Sequence, residues 1–140
     1  MKLRSLFVLV LCFLLTASLA LVASDDWLKN IDDGLKQAKA ENKIVMVDFT
    51  ATWCGWCKKL QTDVFDREEF QKFAAEHLVL VSIDADANRD LVTKYGVEGF
   101  PTIVFLNANG DKIHTISGYL PLEGFLSELQ EAQKKSNGGK

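Results

Sequence analysis

Cys54 and Cys57, in the stretch "ATWCGWCKKL" from Ala51 to Leu60, are separated only by Gly55 and Trp56. Two thiols at that spacing could be half of a zinc site, a structural staple or a redox pair. A structural zinc site needs four ligands and a catalytic one three plus water. Besides the two cysteines, the chain offers His77 and His114, neither at ligand spacing, and both read as solvated surface residues. A staple over about four residues would be worth roughly 2 kcal/mol, less than half of what a loop of about 100 residues gives. The redox reading explains more. Cys54 falls at the start of a predicted helix, where free backbone N–H groups and the positive end of the helix dipole favour a thiolate. Cys57 is one turn on and can reach back. Cys54 would attack a substrate disulfide and Cys57 would resolve the mixed disulfide. Gly55 permits a tight turn and Trp56 cannot ionise. The motif beside a strand–helix unit favours this reading without excluding the other two.

The elements that must position this pair follow from the pattern along the chain. Trp27, Ile31, Leu35 and Ala38 fall on one helical face, with Ser24 or Asp25 as N-cap. "KIVMVDFT" (Lys43 to Thr50) and "LVLVSID" (Leu78 to Asp84) are apolar runs of the kind found in strands buried on both faces. Between them, "CGWCKKLQTDVF" reads as a helix opening at Cys54. Asp66 and Glu69 have capping-box spacing, so a second helix restarts there and runs to about His77. "NRDLVTKYG" is a short helix ended by Gly96. "PTIVFLNANGDKIHTISG" is a hairpin, with strands Thr102–Leu106 and Lys112–Ser117. Pro121 opens a last helix with Leu122, Phe125, Leu126 and Leu129 on its apolar face. The order α-β-α-β-α-β-β-α predicts an α/β fold. Its mixed four-stranded sheet has two parallel strands plus a C-terminal antiparallel hairpin, with helices on both faces.

The chain has 140 residues, 48% of them hydrophobic, which suits one domain. A net charge of −3 without a basic patch gives no reason to expect nucleic acid. Lys2 and Arg4, the apolar run Leu6 to Leu15 and the small residues of "TASLA" follow the plan of a secretory signal peptide. Residues 1–20 are therefore expected to be removed, with cleavage as late as Ala23 as the variant. The alternative is an uncleaved membrane anchor over residues 5–24. Cleavage takes the net charge to −5 and removes Cys12, leaving only the quoted pair. The protein would then work outside the cytosol, in the periplasm or secreted. Residues 24–133 form the expected domain and 134–140 a flexible tail.

"VDFTATWCGWCKKL" resembles the active-site segment of thioredoxin-fold proteins, and "YGVEGFPTIVFLNANG" resembles the segment carrying their cis-proline. The resemblance covers roughly Trp27 to Ala132. Within that family, the chain most resembles the C-terminal thioredoxin-like domain of DsbD and related secreted thiol:disulfide interchange proteins. The resemblance implies that Pro101 is cis, placing the Phe100 backbone beside the cysteines to pair with an extended substrate segment. It makes Asp48 the buried carboxylate that takes a proton from Cys57, with burial raising its pKa. Trp53 would cover one side of the cysteines. Trp53, Gly55, Trp56, Phe100 and Pro101 form the expected substrate-binding set. Two departures stand out. Trp56 occupies the position of the thioredoxin proline, and apolar Leu80 occupies that of the lysine accompanying the buried Asp.

The expected activity is a thiol–disulfide oxidoreductase acting through Cys54, Cys57 and Asp48, with no metal or other cofactor beyond the dithiol. Its partners would be protein thiols and disulfides, together with a membrane electron donor. It would be a monomer, in contact with membrane only if residues 5–24 remain. An oxidase or isomerase, and a non-catalytic binding module, are the alternatives.

Overall fold

The computed structural model describes residues 27–138, so the signal-peptide reading, the Ser24 and Asp25 caps and Cys12 lie outside the described residues. Helix α1 spans Ile31–Glu41, strand β1 Ile44–Thr50 and helix α2 Gly55–Leu60. Helix α2 continues into a π-helical turn, Gln61–Phe65. Helix α3 (Glu68–His77), β2 (Leu78–Asp84), α4 (Arg89–Tyr95), β3 (Thr102–Leu106), β4 (Lys112–Ser117) and α5 (Leu122–Gly138) complete the chain. The sheet order is β2-β1-β3-β4. β1 and β2 are parallel, while β1–β3 and β3–β4 are antiparallel. This is the expected mixed sheet.

Alternation along β1 divides the core between the two faces. Val45, Val47 and Phe49 pack with Ile31 and Ala38 of α1 and with Leu91, Val92 and Tyr95 of α4. Ile44 and Met46 point the other way, onto Leu60, Val64, Phe65, Phe70, Phe125 and Leu129 from α2, the π turn, α3 and α5. Phe49, Phe70, Phe105 and Phe125 are fully buried. Each such ring contributes about 1.5–3 kcal/mol relative to an exposed one. Asp48 and Thr50 share the second face with Met46, so an apolar layer ends in a polar edge directly beneath α2.

The local starts and stops differ from expectation at three places. Leu28 forms a parallel bridge to Val81, with its N–H on Leu80 O and its carbonyl accepting from Ser82 N. That extended segment postpones α1, whose N-cap is Asn30, with Oδ1 accepting from Asp32 N and Asp33 N. The Asp66–Glu69 capping box does not form. The π turn takes the Asp66 N–H onto Gln61 O, the Asp66 carboxylate accepts from Gln61 Nε2, and α3 opens after Arg67 without a side-chain cap. The expected flexible tail is helical through Gly138. Gln133 Nε2 bonds His77 Nδ1 and Lys135 Nζ bonds His114 Nδ1, tying the last turns to the rest of the fold. His114 also bonds Glu128 and is largely covered, so it is not the solvated residue expected.

Gly34 marks the closest approach of α1 to the sheet, since a Cβ there would stand 2.6 Å from Val81 Cγ2 and 3.4 Å from Val45 Cγ1. Both valines are stiff, buried strand residues that cannot swing aside. Gly34→Ala therefore gains about 1 kcal/mol of helix propensity but costs about 1–3 kcal/mol in overpacking. The expected result is a net loss of up to about 2 kcal/mol, read as a lower urea midpoint. A midpoint at or above wild type would show that α1 lifts off the sheet without cost.

Candidate active site

β1 delivers the chain to the cysteines, and the turn Ala51–Trp53 reverses it into α2, with the Cys54 N–H on Ala51 O at 3.1 Å. Cys54 is the N-cap of α2, in an extended conformation with φ −82° and ψ 103°. Its Sγ accepts the Cys57 backbone N–H at 3.1 Å, a donor that the first turn of a helix leaves free. Cys54 and Cys57 are joined as a disulfide, with their Cα atoms 5.3 Å apart. Both are buried, and they pack against Ala51 and the Phe100 ring. Among the described residues, no three His, Cys, Asp or Glu side chains converge as metal ligands.

Two indoles flank the disulfide and remain in solvent, Trp53 at 66% exposure and Trp56 at 58%. Trp53 is therefore not part of the core. Its Nε1 donates to Asp86 at 2.8 Å and its ring meets Phe100 edge-on, with centroids 5.8 Å apart. Trp56 leans on Tyr119, whose hydroxyl donates to Asp63 in the π turn at 2.7 Å. Lys59 Nζ reaches the same carboxylate oxygen at 2.6 Å. Both tryptophans are thus braced in exposed positions, one on each side of the disulfide. Gly55 is exposed and a Cβ there would meet nothing within 4 Å. The Phe100–Pro101 peptide is cis, and Pro101 is buried at the base of β3.

Asp48 lies on β1 beneath α2, buried, with Oδ1 lacking any hydrogen-bond partner. Burial pushes its pKa from 3.8 up to about 7, opposed by the positive charge of Lys29. A pocket of about 440 Å³ opens beside it, lined among others by Lys29, Cys57, Lys58, Ser82 and Asp84. Asp48 and Cys57 thus share one solvent-reachable space.

Lys29, Asp86, Tyr119 and Asp63 were not legible as site residues in the sequence. Each arrives through a contact between distant segments. No helix among the described residues is long and apolar enough to cross a membrane.

The chain is similar to known proteins along this same framework. The sequence profile of the thioredoxin-like domain matches residues 31–133. The disulfide bond reductase DsbH of Chlamydia pneumoniae is 31% identical over 116 residues, covering 73% of this chain and 69% of that protein. The thiol:disulfide interchange protein DsbD of Tatumella citrea is 35% identical over 99 residues, covering 67% of this chain but only 17% of that much longer protein. Among solved structures, a thioredoxin from Thermus thermophilus superposes with a TM-score of 0.71 at 26% identity, covering 79% of this chain and 88% of that one. With a C-x-x-C disulfide at the start of α2 and that match over nearly the whole described domain, the chain belongs to the thioredoxin-like thiol–disulfide oxidoreductase family.

Proposed function

We propose that this protein is exported and reduces or exchanges disulfides in other proteins through Cys54 and Cys57. The observation that carries the reading is the Cys54 Sγ at the mouth of α2, holding the Cys57 N–H and flanked by two exposed tryptophans. In the reduced protein the same N–H favours a Cys54 thiolate. That thiolate attacks one sulfur of a substrate disulfide, forming a mixed disulfide and releasing the other substrate sulfur as a thiolate. Cys57 then gives its proton to the Asp48 carboxylate, and its sulfur attacks Cys54 Sγ. The second substrate sulfur leaves and takes up a proton. Two electrons have moved to the substrate, and the Cys54–Cys57 disulfide of the present structure remains. A dithiol donor must reduce that disulfide before the next turnover.

Trp53, Trp56 and Phe100 form the apolar rim against which a client segment lies, and the Pro101 loop offers it backbone. The relative named as a disulfide bond reductase supports the reducing direction. The signal-peptide pattern of residues 1–20 supports export, with a membrane electron donor as the natural source of reducing equivalents.

The deciding experiment is the reduction potential of the pair, obtained by equilibrating purified protein against defined glutathione ratios and testing insulin reduction alongside. A potential near or below about −220 mV with insulin turnover is expected of a reductant. A value nearer about −120 mV would assign the protein to disulfide formation or isomerisation instead. A pair that fails to exchange would leave a binding module held by a staple.

A further inference from the structure

We propose that Lys29 is a positioning residue for the resolving step: it lines the same pocket as Asp48, and its positive charge favours the carboxylate that accepts the Cys57 proton. The inference rests on the role of Asp48 proposed above.

The geometry begins at Leu28. Its bridge to Val81 adds a short extended segment to the outer edge of β2, with backbone bonds of 3.0 Å to Leu80 O and 2.8 Å from Ser82 N. Asp48 is in register with Ser82 on the other side of that strand. Strands are about 4.8 Å apart, so Lys29 leaves the chain roughly 10 Å from the Asp48 backbone, within reach of a four-carbon stem. Lys29, Asp48 and Cys57 all line the pocket. Leu80, where the lysine of thioredoxin would stand, packs into the apolar core instead. A cation therefore reaches this carboxyl from the segment preceding α1 rather than from β2.

Other charges at the pocket are Lys58 on α2 and Asp84 at the end of β2. Asp84 Oδ1 is occupied by the Asp86 N–H. Among the described residues, Lys29 is the one charge whose field opposes the effect of burial on Asp48. Asp48 has no hydrogen bond on Oδ1 to favour its ionised form, which leaves the field of Lys29 to favour the carboxylate once the proton is lost.

The test uses the full-length protein with Lys29→Met, Lys29→Arg and Asp48→Asn. The Asp48 carboxyl is titrated by ¹³C NMR, and release of client from a preformed mixed disulfide is timed across pH. Removing a nearby positive charge disfavours ionisation. Lys29→Met is therefore expected to move the Asp48 midpoint and the acid limb of the rate upward together, by about half a pH unit or more. On the acid side that is about a threefold slower resolution, and Lys29→Arg should restore both. If Asp48→Asn flattens the limb while Lys29→Met moves neither midpoint, the proposal fails and the Asp48 role stands. If Asp48→Asn leaves the profile unchanged, that role fails and the proposal with it. A shift that Lys29→Arg does not reverse would assign the effect to packing of the lysine stem, which also overturns the proposal.

Discussion

Cys57→Ser should lower multiple-turnover reduction of a protein disulfide by roughly a thousandfold or more, while Cys54 still attacks its client. The Cys57 backbone N–H that Cys54 Sγ accepts is present whatever the side chain, so the first thiolate is still favoured. Without a second sulfur one turn away, the mixed disulfide has no intramolecular exit. Client proteins should therefore accumulate on Cys54, visible on non-reducing gels and released by dithiothreitol. Cys54→Ser should give neither turnover nor adduct. If Cys57→Ser turned over like wild type, resolution would have to come from an external thiol. If the adduct formed on Cys57 in a Cys54→Ser background and not the reverse, the roles of the two sulfurs would be exchanged.

Asp48→Asn should stabilise the oxidised protein at pH 8 by on the order of 4 kcal/mol, a gain that disappears below about pH 4. The sign follows from where the proton sits. The buried carboxyl titrates at about 7 in the fold against 3.8 as its ordinary value, so across that window the folded protein holds a proton that the unfolded chain has lost. Stability then falls as pH rises from about 4 to 7, at about 1.4 kcal/mol per pH unit, and the whole cost is present above pH 7. Asparagine removes the charge and keeps the shape. Urea midpoints of both proteins at pH 4, 6 and 8 test this. The same gain at all three would show that the charge is not its source. No gain at pH 8 would show that water in the adjacent pocket already solvates the carboxylate. A buried carboxyl with a raised pKa, lining one pocket with the sulfur that must lose a proton, fits a chemical rather than a structural role.

Much of this was readable before the fold was known, and the reasons are local. The β3–β4 hairpin falls at Thr102–Leu106 and Lys112–Ser117 as expected, because its turn residues and flanking β-formers lie together in the sequence. The short α4 ends at Gly96 because a left-handed residue, here at φ 68°, closes it. Cys54 sits at the N-cap of α2 because β1 ends at Thr50, and the three residues between leave room only for a turn. What failed was equally consistent. Asn30 displaced Ser24 and Asp25 as N-cap because Leu28 pairs with Val81, more than fifty residues away. The helix α5 outran its expected end because His77 and His114, on other elements, bond its last turns.

The sequence by itself determined the sheet, its two apolar faces and the dithiol at the start of a helix. Those depend on periods of two and 3.6 residues and on caps, which neighbours along the chain specify. Only the tertiary structure decided that Trp53 stands in solvent on Asp86, that Trp56 leans on a Tyr119 held by Asp63, and that Lys29 lines one pocket with Asp48. Each of those meetings is set by strand register and by where a loop crosses the sheet. Pattern within a segment states which face a side chain takes; it carries no record of what another segment brings to that face.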